Sequence, residues 1–245
     1  MVQELLPLLP KEVGTLALVL AMAGTLIGAG LWLAGARFSR SLITLLLVSL
    51  GGWIGLFLPQ WFGWAIDGWA PAILLAIVLG ASGFVLHRFW VGVGLGLVLA
   101  GWAAVGVWML CKGTDVWTLP KYEVGTSALI YAKSLWPSLP TEVQRFLPFA
   151  AVMALVSGLL SALVWPRVGV VMLYSMLGVS MVVSMGLCFM NVARPQWVGA
   201  LPAQGSMQVM MVLAMVAFGA LLQWQIAPSK KGPKPKNGRP IVVLD

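Results

Sequence analysis

Charge is what this sequence has least of. Only 9% of its 245 residues are Asp, Glu, Lys or Arg, while 60% are hydrophobic. An average soluble domain is about 25% charged, so this chain cannot cover a surface that faces water, and a soluble globular protein is excluded. Cysteine is nearly absent too. Two residues, Cys111 and Cys188, supply neither a disulfide framework nor a thiolate zinc site. The single histidine, His87, excludes a multi-histidine metal centre. A basic leader is also missing: Ala21-Met22-Ala23 resembles a cleavage site, but Glu4, Lys11 and Glu12 precede it, so the first apolar run reads as a retained helix.

What is present is a series of apolar runs, each near the roughly 20 residues that cross a hydrocarbon layer. The spacing predicts an all-α, polytopic transmembrane bundle of seven spans, at 13–34, 41–58, 71–86, 89–111, 147–165, 168–190 and 207–227. Residues 1–12 precede it as an external segment, 112–146 form the one long connection, and 228–245 form a basic tail. Pro59 is expected to end the second span, and Pro148 to kink the fifth. Thr141 and Gln144 have the spacing of a capping box, so the fifth helix is expected to begin before its span. The stretch TSALIYAKSLW reads as a short interfacial helix. The tail, SKKGPKPKNGRP, cannot bury a core.

The chain centres on GASGFVLHRFWVGVGLGLVLAG, residues 80–101, where two glycine-lined arms meet at His87-Arg88. It reads as a tight transmembrane hairpin with both arms packed closely, a design repeated at Arg37 and Arg167. Small residues let helix backbones approach, which makes Gly24 and Gly28, Gly51 and Gly55, Gly80 and Gly83, and Gly92 and Gly96 the expected packing positions. The glycine series of the fourth run lies inside apolar sequence, where a phosphate loop has no strand-to-helix setting.

Basic residues set the orientation. With the amino terminus outside, the inner segments hold Arg37, Arg40, Arg88, Arg167, Lys230, Lys231, Lys234, Lys236 and Arg239, against one acid, Asp245. The outer segments hold six basic and six acidic residues. The positive-inside rule therefore places the amino terminus outside and the carboxyl terminus inside. Trp53, Trp61, Trp64, Trp69, Trp108, Trp117, Trp136 and Trp197 then gather at the outer surface. The formal charge of +8 belongs to loops and tail, so it points to membrane orientation and not to nucleic acid.

No ionisable residue falls within the seven spans, which argues against a proton-coupled transporter, a charge-selective pore or a carboxylate protease. Ser157, Ser161, Ser175, Ser180, Ser184, Gln208, Gln223 and Asn191 lack an adjacent base and read as interhelical links. Beside Arg88, His87 reads as a turn residue at a headgroup interface. Nine of the 13 methionines lie in the last two spans. Rows such as Met172/Met176, Met181/Met185 and Met207/Met211/Met215 suit Cu(I) transfer or, more simply, irregular packing. Cys111 and Cys188 fall near outer span ends, where a disulfide and a pair of small buried hydrophobes both stay open. Lys230, Lys231, Lys234, Lys236 and Arg239 can attract anionic lipid. No metal or cofactor is expected.

GLWLAGARFSRSLITLLLVSLGGWIG, GASGFVLHRFWVGVGLG and LVWPRVGVVMLYSMLG resemble the seven-span family that includes transmembrane protein 198, over residues 20–190. The resemblance rests on glycines and on Arg37, Arg88 and Arg167. It implies an extracellular amino terminus and glycine-rich hairpins with basic cytoplasmic turns. Many members are domains of unknown function, and others are described as scaffolds in membrane signalling. The 112–146 connection and the short basic tail depart from that pattern, so the signalling role is not carried over.

The expectation is a non-enzymatic integral protein of the cell membrane that scaffolds or assembles other membrane proteins, or copies of itself, through its glycine faces. The alternative is a permease or channel for a small neutral solute, lined by the third and fourth spans. That alternative calls for discontinuous helices near the midplane, for which Gly51-Gly52 and Gly101 are the sequence candidates.

Overall fold

The structure, a computed structural model, describes residues 15–64, 66–111, 134, 136–193, 196–197 and 205–226. Seven long helices and no strand occur among them: α1 (Thr15–Ala34), α2 (Ser39–Phe62), α3 (Trp69–Val85), α4 (His87–Cys111), α5 (Thr141–Val164), α6 (Pro166–Ala193) and α7 (Gly205–Ile226). Five helical stretches are long and apolar enough to cross a membrane: Leu18–Phe62, His87–Val107, Thr141–Val164, Pro166–Ala193 and Ser206–Ile226. The first, 45 residues long, contains α1, a 3-10 turn at Gly35–Phe38, and α2. The helix Trp69–Val85 is apolar and shorter, at 17 residues. The outward faces are as apolar as the interior, with Leu26, Ile77, Phe149 and Leu221 all exposed. Such a surface suits hydrocarbon, where helices satisfy their own backbone groups.

Local chemistry explains the breaks. α2 ends at Gly63, whose φ of 66° is left-handed, and Trp64 N–H closes on the Pro59 carbonyl at 2.9 Å. This is a glycine-terminated helix end. Pro59 therefore does not stop the helix, contrary to the sequence expectation: it removes one N–H near the end, and the last turn continues past it. Leu86 alone separates α3 from α4, with Leu86 N–H on the Ser82 carbonyl and Trp90 N–H on the Leu86 carbonyl. At the next short turn, Pro166 opens α6, a first-turn position where its missing N–H loses nothing.

The start of α5 at Thr141 agrees with the sequence, but the capping box does not form. Pro140 occupies the N-cap without a side-chain oxygen to offer. Gln144 instead donates back to the Trp136 and Leu139 carbonyls, both at 2.9 Å. α5 runs on as one helix through Pro148. The interfacial stretch before it lies almost wholly outside the described residues, as does the basic tail.

The pairing of helices corrects the hairpin expectation. The helices joined by the tight turns are not the ones that pack closely. α2 packs on α3, α4 on α5, and α1 on α6, whereas α3 and α4 touch sparsely and α1 and α2 almost not at all. The two arms of 80–101 face different partners. A Cβ at Gly80 or Gly83 would meet Val48 or Leu47 of α2; one at Gly92 or Gly96 would meet Leu159 or Leu155 of α5. A short turn brings two helix ends together, but it does not set the angle at which they diverge.

All three close pairs are antiparallel. Gly51 faces Leu75 while Gly55 faces Ala72; Gly92 faces Leu159 while Gly96 faces Leu155; Gly24 faces Met185 while Gly28 faces Met181. α6 is central, touching α1, α4, α5 and α7. One apolar cluster joins Ile43, Leu47, Val91, Leu95, Leu173, Val179 and Val216, from four helices.

Candidate functional site

One end of the bundle gathers the polar groups. The Gly35–Phe38 turn, the starts of α2, α4 and α6, and the end of α7 all meet there. Ser39, buried at the first residue of α2, has its Oγ 2.9 Å from His87 Nε2, at the first residue of α4. From α6, the Tyr174 hydroxyl donates to the Ser39 carbonyl at 3.2 Å. From α7, the fully buried Gln223 accepts from Ala36 N–H at 3.1 Å and donates to the Leu31 and Trp32 carbonyls at 3.1 and 2.7 Å. Trp32 Nε1 adds a bond to the Met215 carbonyl at 3.0 Å. In hydrocarbon such polar contacts are worth about 0.6–2 kcal/mol each, so the turn is fixed from four helices at once.

Gly35 is needed for this convergence. A Cβ there would lie 2.6 Å from the Tyr174 ring. The ring passes over the backbone of the turn and reaches Ser39, which a side chain at position 35 would prevent.

The four guanidiniums of the described residues at this end are Arg37, Arg40, Arg88 and Arg167. Arg40 lies over the Phe84 ring at 4.6 Å and Arg167 over Trp224 at 4.4 Å. Arg37 stands 5.7 Å from its neighbour Phe38. Arg167 also donates to the Trp224 carbonyl at 2.6 Å. Arg40 and Arg88 directly follow Ser39 and His87, the pair bonded across α2 and α4. The described carboxylates, Asp67 and Glu142, belong to the opposite end, in the α2–α3 loop and the first turn of α5. Trp61, Trp64, Trp69, Trp136 and Trp197 are exposed at or beside the helix ends on that opposite side.

All eight glycines singled out in the sequence are buried, in two kinds of contact. Gly51 and Gly55 meet the α3 backbone, and Gly96 meets the α5 backbone, with Gly158 pressed against Gly96 in return. Gly24 instead faces the Met185 side chain, and Gly28 faces Met181 and the Val182 backbone nitrogen, 2.8 and 2.9 Å from an added Cβ. Gly158, Gly169 and Gly178 are buried partners that the sequence reading missed. The small-residue spacing from Gly158 to Ala162 was the available signal.

The serines mostly bond within their own helices: Ser157 to Ala154, Ser161 to Ser157 and Ser184 to Ser180. Ser180 donates to Met176 in its own helix and also accepts from Trp102 Nε1 of α4 at 2.9 Å, whereas the fully buried Ser175 hydroxyl has no partner and links no helices. Gln223, not a serine, carries the main interhelical polar contact. Met181 and Met185 fill the space over the α1 glycines, while Met207, Met210 and Met211 stand exposed on α7. No group of three His, Cys, Asp or Glu side chains comes together among the described residues. Cys188 is a partly buried free thiol; the side chain of Cys111 lies outside the described residues, as do Lys230, Lys231, Lys234, Lys236 and Arg239.

No protein family, curated protein or solved structure matches the chain. The resemblance to the transmembrane protein 198 family therefore stays an expectation carried by the glycines and by Arg37, Arg88 and Arg167.

Proposed function

We propose that this chain is a non-enzymatic membrane scaffold or assembly subunit. In this reading, Leu18–Phe62 crosses twice and Trp69–Val85 once. That makes seven spans, with the amino terminus outside and the basic end of the bundle inside, in the cell membrane. The observation that carries the proposal is continuity. α2 runs unbroken through Gly51-Gly52 and α4 through Gly101, the positions at which a solute path calls for interrupted helices. Gly80 and Gly83 of α3 are spent on α2, Gly92 and Gly96 of α4 on α5, and Gly94 faces Leu173 of α6, so these five glycines do not line a path. What remains is a closed packing unit with long apolar outer faces, which suits a protein acting through the membrane proteins it touches.

Reconstituted liposomes and mild-detergent purification test this together. A scaffold gives no solute-dependent swelling above protein-free liposomes for glycerol or urea, and retains a membrane protein partner at fixed stoichiometry. Swelling carried by a homogeneous, partner-free protein overturns it in favour of a permease.

A further inference from the structure

We propose that the basic end of the bundle holds an anionic phospholipid, with its phosphate between Arg40 and Arg88 beside His87 and an acyl chain along Phe84 and Phe89. The inference rests on the membrane reading but not on the scaffold role.

The charge at this end is uncompensated within the described fold. Arg40 and Arg88 are exposed and directly follow Ser39 and His87, whose side chains lie 2.9 Å apart, and the described carboxylates are at the other end of the molecule. Arg40, Arg88 and Arg167 also occupy the first turns of α2, α4 and α6, where no acidic residue is present. A cation at a helix start opposes the macrodipole; the carboxyl ends of α1, α3, α5 and α7 lie at the same end and offset the dipoles, so the positive potential here comes from the guanidiniums themselves. A phosphate neutralises that potential at once. The Ser39–His87 hydrogen bond holds the starts of α2 and α4 together, so the two guanidiniums are presented by a fixed frame.

The neighbouring surface selects an amphiphile over a soluble anion. Phe84, Val85, Leu86 and Phe89 are exposed beside the two arginines, at 55%, 76%, 53% and 43%. The Phe84 ring lies under Arg40, which leaves the guanidinium edge to hydrogen-bond while its face is held. Arginine suits phosphate because its planar fork binds two oxygens. Arg167 is occupied differently, by the Trp224 carbonyl and ring, which places the site at the α2–α4 corner.

The test uses the full chain in mild detergent, with dioleoyl phosphatidylglycerol or phosphatidylcholine added at matched mole fractions. The readouts are lipid adducts in native mass spectrometry and the shift in unfolding temperature. Phosphatidylglycerol is expected to be retained and to raise the unfolding temperature, and phosphatidylcholine to do neither. The double variant Arg40→Gln/Arg88→Gln should weaken phosphatidylglycerol binding about thirtyfold, the value for two basic residues near a charged surface. Arg40→Lys/Arg88→Lys, which keeps the charge but not the fork, should weaken binding severalfold and serves if the Gln variant does not fold. Changing Lys230, Lys231, Lys234 and Lys236 to Gln should leave the adduct in place. Equal retention of the two lipids overturns the proposal. So does undiminished binding in both arginine double variants, or a loss confined to the tail variant. Displacement of the lipid by millimolar glycerol phosphate, without detergent-soluble lipid competing better, would instead identify a soluble anion site.

Discussion

The α2–α3 and α4–α5 pairs use the same device in different surroundings. Both are antiparallel and both bring backbone onto backbone at glycine, Gly51 and Gly55 on Leu75 and Ala72, Gly96 on Leu155 and Gly158. Yet α4–α5 is tied to the centre of the bundle, with α6 packed against both of its helices, whereas α2–α3 meets the rest of the bundle sparsely. Its buried contacts beyond α3 concentrate near the basic end, at Ser39, Ile43 and Leu47. Identical glycine contacts should therefore carry different weight: in α4–α5 they hold up the bundle, and in α2–α3 they hold up a hairpin.

The comparison breaks or sharpens by substitution. Gly158→Ala should have the largest effect. The new methyl meets the Gly96 backbone, which cannot rotate aside, and a cost of about 3 kcal/mol is expected at the upper end of overpacking, read as early loss of the monodisperse peak on heating in detergent. Gln223→Leu comes next, at about 1–2 kcal/mol, because Ala36 N–H and two carbonyls lose their partner; denaturation in mixed micelles with increasing SDS would measure it. Gly55→Ala should cost about 1 kcal/mol and confine its damage. Hydrogen exchange should rise in 39–62 and 69–85 and stay unchanged in 87–111. If Gly55→Ala destabilises as much as Gly158→Ala, the hairpin is not peripheral and the distinction fails. Smallest is Gly101→Ala, with nothing within 4 Å of the added atom. Stability should change by less than about 1 kcal/mol, in the stabilising direction set by helix propensity, with an unfolding temperature at or slightly above that of the parent.

The sequence made several features legible for physical reasons. Apolar length located the helices within a few residues, since backbone groups in hydrocarbon leave few other choices. The arginines of the three tight turns fall at one end because successive helices reverse direction. Glycine marked the close contacts because no other residue admits a neighbouring backbone so near. Partner identity was not legible. Helices that are apolar on every side carry no stripe to say which face turns inward, so Gly92 and Gly96 announced a contact without saying whether α3 or α5 made it. The polar end was half visible: Gln223 stood out as a polar residue in an apolar run. Its partners at Leu31 and Trp32 lie 192 and 191 residues away along the chain, beyond any local pattern.

That separation has a consequence for how the protein is made. α2 and α3 can pair as soon as both have left the ribosome, and α4 and α5 soon after. Of the described helices α1 emerges first and finds its partner nearly last: its glycines wait for Met181 and Met185, and its closing turn waits for Tyr174 and then Gln223. Until α6 is inserted, α1 stands in the bilayer with its packing face bare. A chain released before that point would carry two finished hairpins and one orphaned helix. Quality control in the membrane would then meet this protein through its first helix, although the defect lay in its last two.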